Sequence, residues 1–117
     1  MTHDALRRAA IALPHATEDQ PFGPHNVVFR VGGKIFALLA LDAFPPTFNY
    51  KGEPDDLVDQ RERYASVSAG WHMNKRHWNT VVADGEVPAD DLRAWLAESH
   101  RLVHASLPKA VRAALPL

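Results

Sequence analysis

Apolar residues recur along this chain at two spacings, and the switch from one to the other divides it into elements. Leu6, Ala9, Ala10 and Leu13 follow helical spacing behind Thr2, whose hydroxyl can cap a helix, and Pro14 removes the donor the next turn would need. The pattern predicts a short amphipathic helix that opens the fold. From His15 to His25, Pro21, Gly23 and Pro24 surround Phe22, which reads as a loop with one aromatic available to plug the core edge. Two β-rich runs follow, Asn26 to Val31 and Lys34 to Leu41, split only by Gly32-Gly33, a pair that supplies the positive φ angles of a tight hairpin turn. A two-residue loop sets Phe29 against Phe36 and Val27 against Leu38. Paired residues share a face, so these four are expected on the core side, with Arg30 pointing the other way.

Pro45-Pro46 resets the chain before Thr47 to Lys51, where Phe48 and Tyr50 alternate with Thr47, Asn49 and Lys51 as a half-buried strand requires. Asn49 and Lys51 then share the polar face. Glu53 to Tyr64 reads as a helix, with Pro54 in its first turn, Asp55 and Asp56 near its positive end, and Arg61 and Arg63 near its negative end. Leu57, Val58 and Tyr64 are expected to touch the sheet. Ala65 to Ala83 turns β-like again around a polar insert, and Asp84-Gly85 marks a turn. From Pro88 onward, Leu92, Trp95, Leu96, Leu102, Val103 and Leu107 form one helical stripe, and after Pro108 a short helix closes the chain. Trp95 is assigned to the core. The sum is an α+β domain: a mostly antiparallel sheet with helices packed on one face.

Composition narrows what such a domain can do. At 117 residues and 46% hydrophobic content the chain suits one domain with one core, residues 1–117. Thirteen Lys and Arg against 14 Asp and Glu leave a formal charge of −1, so no overall positive field draws in nucleic acid or an anionic membrane, and any basic site is local. The absence of cysteine excludes disulfides, thiolate metal sites and cysteine nucleophiles. Charges interrupt the first residues where a secretory signal needs an apolar stretch, and no later run is apolar for long enough to span a bilayer, so a cytoplasmic protein is expected.

One segment concentrates chemically capable side chains. WHMNKRHW, Trp71 to Trp78, sets His72, Asn74, Lys75, Arg76 and His77 between two tryptophans, with Asn79 following. Arg and Lys can hold phosphate or carboxylate oxygens, Asn can pair with a base edge, and Trp can stack on a π face or a cation. The competing reading is a polar hairpin tip whose tryptophans serve the core and whose charges are merely solvated.

The same segment carries a family resemblance. Gly70 to Val81, GWHMNKRHWNTV, together with VFRVGGK from Val28 to Lys34, Phe36-Ala37-Leu38, Asn49-Tyr50-Lys51 and Leu107-Pro108-Lys109, resembles the MmcQ/YjbR proteins over nearly the whole chain. The resemblance implies a YjbR/CyaY-like fold, similar to frataxin-like or "double-wing" domains, and DNA as the partner, a label that rests on fold analogy. Gly52 and Trp71 stand where the family commonly has a cysteine and a tyrosine, which puts in doubt any role for a thiol or phenol there.

On these grounds the leading expectation is nucleic-acid binding: Lys75, Arg76 and His77 on phosphates, Arg30, Lys34 and Lys51 extending the basic face, and Asn49, His72, Asn74 and Trp78 completing it. The alternatives are a pocket for a small anionic ligand and a protein-interaction face made partly apolar by Val28, Ile35 and Leu39. No nucleophile elbow, phosphate-binding glycine loop, paired-carboxylate signature or metalloprotease helix is present, so neither catalysis nor a cofactor is expected. His100 and His104 have the i, i+4 spacing of a metal pair. Helical phase puts His100 on the flank of the apolar stripe and His104 further toward solvent, so a solvated pair is expected and no metal.

Overall fold

A computed structural model describes residues 1–71 and 73–117. The chain runs α1 (His3–Ile11), β1 (Thr17–Asp19), β2 (Asn26–Val31), β3 (Lys34–Ala40), β4 (Thr47–Lys51), α2 (Pro54–Arg63), β5 (Val67–Ala69), β6 (Trp78–Val82), α3 (Ala89–Ala105) and α4 (Lys109–Ala114). Among the described residues the six strands form one open antiparallel sheet in the order β1-β2-β3-β4-β6-β5. The expected punctuation acts as read. Thr2 accepts a hydrogen bond from the Ala5 amide at the start of α1, and Gly32 and Gly33 turn the β2–β3 hairpin at φ 58° and 83°.

One core lies between the sheet and its helices. Val27, Phe29, Val31, Phe36, Ala37, Leu39, Phe48, Tyr50, Val67 and Val81 meet Leu6 and Ala10 of α1, Leu57 of α2, and Leu92, Leu96 and Val103 of α3. Trp95 packs against this core, stacked on Tyr50 with centroids 5.2 Å apart. Val58 does not contribute: it is exposed on the outer face of α2. Edge strand β1 falls where a loop was expected, because Thr17, Glu18 and Asp19 are all exposed and leave no apolar alternation to read. Its acids are used locally, Glu18 with Arg7 and Asp19 with Arg30, and such charges also discourage edge-to-edge pairing.

The hairpin register departs from expectation in a way that shapes the rest of the molecule. Next to the turn, Val31 pairs Lys34 and Arg30 pairs Ile35, as a two-residue loop dictates. Phe36 is then bulged out of the ladder, and the pairing resumes one residue later as Phe29 with Ala37, Val28 with Leu38 and Val27 with Leu39. Phe36 stays on the core side, but Leu38 does not: it moves to the helix-free face, and Leu39 takes its place in the core. Ser99 of α3 repairs the interrupted ladder. Its buried hydroxyl donates to the Phe36 carbonyl at 2.6 Å and accepts from the Lys51 amide at 2.8 Å.

His100 and His104 are not a solvated pair. They are 3% and 7% exposed, and each ring ties α3 to a distant segment. His100 Nε2 donates to the Pro14 carbonyl and His104 Nε2 to the Leu115 carbonyl, both at 2.7 Å; a carbonyl can only accept, so each Nε2 carries the proton. The flank of the stripe is covered by the end of α1 and by the C-terminal segment, neither of which helical phase can report. Burial lowers the His100 pKa from its ordinary 6.5, an effect partly opposed by the Pro14 hydrogen bond and reinforced by neighbouring His104 and His15. An unfolded chain therefore takes up this proton first. The stability contributed by neutral His100 is complete above about pH 6.5 and declines as pH falls from there toward the lowered folded value. The carboxylates with lowered values, Glu18, Glu86 and Glu98, start from 4.5 and act below this window. Urea unfolding between pH 7 and pH 5 is expected to show a midpoint that falls with pH in the native sequence and a flatter profile in His100→Gln, which keeps a neutral donor. Parallel profiles would remove His100 as the cause.

Candidate functional site: a cleft on the helix-free face of the sheet

Opposite the helices, alternation turns a second set of residues to one surface. Ile35, Leu38 and Ala40 of β3, Thr47 and Asn49 of β4, and Thr80 of β6 floor a cleft of about 430 Å³. Its walls come from two loops: Phe22 from the β1–β2 connection, and Trp71 and Met73 from the β5–β6 connection. Phe22 and Trp71 are 61% and 71% exposed, a large apolar area to leave in water. Phe22 was expected at the core edge; Pro21, Gly23 and Pro24 instead carry it to the other side of the sheet, where it lines the cleft.

The β5–β6 connection is clamped to this floor by one chain of hydrogen bonds. The Trp71 amide donates to Thr80 Oγ1 at 2.9 Å, Thr80 donates onward to Asn49 Oδ1 at 2.6 Å, and Asn49 Nδ2 donates to the Trp71 carbonyl at 3.1 Å. Asn49 and Thr80 are neighbours because the β4–β6 register pairs them. Further along, Asn74 closes a tight turn: its carbonyl accepts from the His77 amide at 3.1 Å and its side chain from the Arg76 amide at 2.9 Å. The His77 carbonyl then accepts from Gly52, and the Trp78 carbonyl accepts from Gly70 at 2.8 Å.

The sequence-derived candidates divide into groups. Lys75 and Arg76 are exposed on the turn, and neither makes an ion pair among the described residues. Lys51, half-buried, pairs in register with half-buried Trp78, beside His77. Asn49 belongs to the cleft floor. Arg30 and Lys34 lie apart from the turn, on the β2–β3 hairpin. Arg30 is held by Asp19 at 2.9 Å and by the Gly33 carbonyl at 3.1 Å, while Lys34 reaches the Ser106 carbonyl at the end of α3. His72 lies outside the described residues.

Asn79, part of the same motif, has turned away from the cleft. It is fully buried toward α2, where its amide donates to the Leu57 carbonyl at 3.0 Å and to the Tyr50 hydroxyl at 3.2 Å and accepts from Arg61 at 2.7 Å. Tyr50 in turn donates to Gln60, and burial raises its pKa above the ordinary 10, so it stays protonated. Sequence reasoning missed Phe22, Asn26, Leu38, Ala40, Thr47, Met73 and Thr80 as cleft residues. Thr80 and Thr47 carried a signal, since alternation about core Val81 and Phe48 puts them opposite; Leu38 and Ala40 depend on the bulge.

An antiparallel sheet covered by helices on one side and carrying a loop-walled cleft on the other defines the class of protein. The YjbR family model matches residues 11–102, and the chain belongs to that family. YbdF, an uncharacterised protein of Escherichia coli O157:H7, is 36% identical over 107 residues, 92% of this chain and 88% of YbdF. The uncharacterised YjbR of E. coli K12 is 27% identical over 111 residues, 95% of this chain and 88% of that protein. Among solved structures, DR2400 of Deinococcus radiodurans, a DUF419 domain, superposes with a TM-score of 0.92 at 36% identity, over 97% of this chain and 87% of that one. A Pseudomonas syringae protein shares the fold at a TM-score of 0.76 and 23% identity, over 88% of this chain and 99% of that one. Among the described residues, no helix is long and apolar enough to cross a membrane.

Proposed function

We propose that this protein is a binding module whose site is the cleft on the helix-free face of the sheet, and that it takes a small, mostly apolar ligand without chemically changing it. The observation that carries this reading is the cavity itself: about 430 Å³, floored by aliphatic side chains and flanked by Phe22 and Trp71. That volume lies within the range of ordinary small-molecule sites. Two threonine hydroxyls and two asparagine amides are the polar side chains of the described lining, which includes no acid, base or thiol. Such a lining suits recognition better than proton transfer. A screen of small aromatic fragments by proton–nitrogen correlation spectroscopy tests the proposal. Perturbations are expected to cluster at Leu38, Ala40, Asn49, Trp71 and Thr80, with dissociation constants on the order of 1 mM for unelaborated fragments. Ala40→Trp, which fills the floor, is expected to abolish them while the protein stays folded. A screen with no perturbation, or perturbations scattered over the helical side, overturns the reading.

Lys75 and Arg76, exposed and without an ion pair among the described residues, support a second reading, DNA binding through the β5–β6 turn. Its reach is smaller than the sequence suggested, because Arg30 is paired with Asp19 and Lys34 reaches the end of α3. Under this reading, anisotropy titrations with single-stranded and duplex DNA give an affinity that falls with salt at a log–log slope of about −2, close to one per cation. The slope flattens in a Lys75→Ala, Arg76→Ala double variant. Binding that is absent, or insensitive to salt, removes it.

A further inference from the structure

Hydrogen-bond accounting in the cleft singles out one group. The Trp71 amide can only donate and the Trp71 carbonyl can only accept, so the chain through Thr80 has one direction, and Asn49 must turn Nδ2 toward the Trp71 carbonyl and Oδ1 toward Thr80. An asparagine amide carries two N–H donors. One is spent on Trp71, and the other has no acceptor among the described residues, although Asn49 is only 7% exposed and lines the cavity floor. Asn79, which is completely buried, spends both of its donors, on Leu57 and Tyr50. A buried donor without a partner is uncommon and costs stability unless something completes it.

From this we infer that the ligand of the cleft is a flat, largely apolar molecule carrying a neutral hydrogen-bond acceptor, such as a ring nitrogen or a carbonyl, and that the remaining N–H of Asn49 recognises that acceptor. The inference rests on the cleft reading above and adds the polarity of the ligand to it. The acceptor is neutral because a lone amide N–H among Leu38, Ile35 and Ala40 cannot offset the desolvation of a full negative charge. An anionic substituent belongs instead at the rim, on the loop that carries Lys75 and Arg76. The body is flat because each loop wall carries an aromatic side chain, Phe22 or Trp71, against which a planar ring packs well. Asn26, half-buried at the other end of the cleft, keeps its amide within reach of water and so imposes no comparable demand.

Naphthalene and quinoline have the same shape and differ at one ring position, a C–H in one and a neutral acceptor nitrogen in the other. Both are expected to perturb the Leu38, Ala40 and Thr80 resonances of the native protein. Quinoline alone is expected to move one of the two Asn49 side-chain amide protons downfield, the one not bonded to Trp71. In Asn49→Leu, the quinoline-to-naphthalene affinity ratio is expected to drop about five-fold, the usual worth of one neutral hydrogen bond. The ratio cancels any general loosening of the loop, and the amide-proton shift is read on the native chain, so poor folding of the variant leaves the test intact. If both probes bind, the ratio is unchanged and the amide proton stays put, the inference about Asn49 falls while the cleft reading stands. If neither probe perturbs the cleft, both fall. A single-stranded oligonucleotide that shifts the same amide proton, with free quinoline failing to do so, overturns the assignment to a small molecule in favour of a nucleobase.

Discussion

Replacing Asn79 with leucine is expected to lower the free energy of unfolding by about 3 kcal/mol, with the urea midpoint falling and the slope of the transition unchanged. Leucine has nearly the same shape and is apolar, so the loss comes from hydrogen bonding and not from a cavity. Three groups lose a hydrogen bond together: the Leu57 carbonyl, the Tyr50 hydroxyl, which keeps its bond to Gln60, and the Arg61 guanidinium. The first two are buried. Each of these two buried hydrogen bonds lost costs about 1 to 1.5 kcal/mol, whereas half-exposed Arg61 can turn to water and contributes less. Asn79 thus fastens α2 to the sheet, and amide exchange in Pro54–Arg63 is expected to quicken selectively. A loss under about 1 kcal/mol would mean that Leu57 packing alone holds the helix. Asn49→Leu makes a contrasting case. It frees the Trp71 carbonyl on a loop open to water and the Thr80 hydroxyl on the cleft floor, which can turn toward the cleft, so a smaller loss confined to the β5–β6 connection is expected.

The second large effect is expected from Gly70→Ala. A Cβ at this position would lie 2.7 Å from Trp78 Cβ, 2.9 Å from the Trp78 carbonyl oxygen and 3.0 Å from its carbon. The glycine is needed for the close approach of two strands, not for an unusual φ. Trp78 is held in the β6 ladder opposite Lys51, and its carbonyl accepts the Gly70 amide, so the clash cannot be relieved by rotating a side chain. The loop must move, and overpacking of this kind costs about 2 kcal/mol. Thermal unfolding should report that loss. The fragment spectra should report a second one, since displacing the segment after Gly70 shifts Trp71 and Met73 off the cleft wall. Unaltered fragment binding in a destabilised Gly70→Ala protein would show that the wall is not set by this contact.

Much of the architecture was legible because it is written in local chemistry. Pro14 and Pro108 stop helices where a missing donor must stop them, Gly32-Gly33 turns a hairpin, and strict alternation in Thr47–Lys51 places Phe48 and Tyr50 inside and Asn49 outside. The Gly70–Val81 motif was legible as the mark of the family. It was less legible as a site, since its residues part company in the fold. Asn74 shapes a turn, Asn79 binds a helix, Trp71 walls a cleft, and Lys75 and Arg76 face water.

Sequence by itself determined the elements other than edge strand β1, their order, the α+β class and the family, because each depends on neighbours within a few positions or on a motif read as a string. Tertiary structure alone decided which face each residue serves. The bulge at Phe36 sends Leu38 to the cleft and Leu39 to the core, since a one-residue slip inverts every side chain beyond it. The end of α1 and the C-terminal segment bury His100 and His104, and the prolines around Phe22 carry it across the sheet. Asn49 and Asn79 are the same residue type on facing strands, and one has both donors spent while the other keeps one to offer. That difference is a property of which partners the folded chain brings within 3 Å or so, and no pattern along the chain contains it.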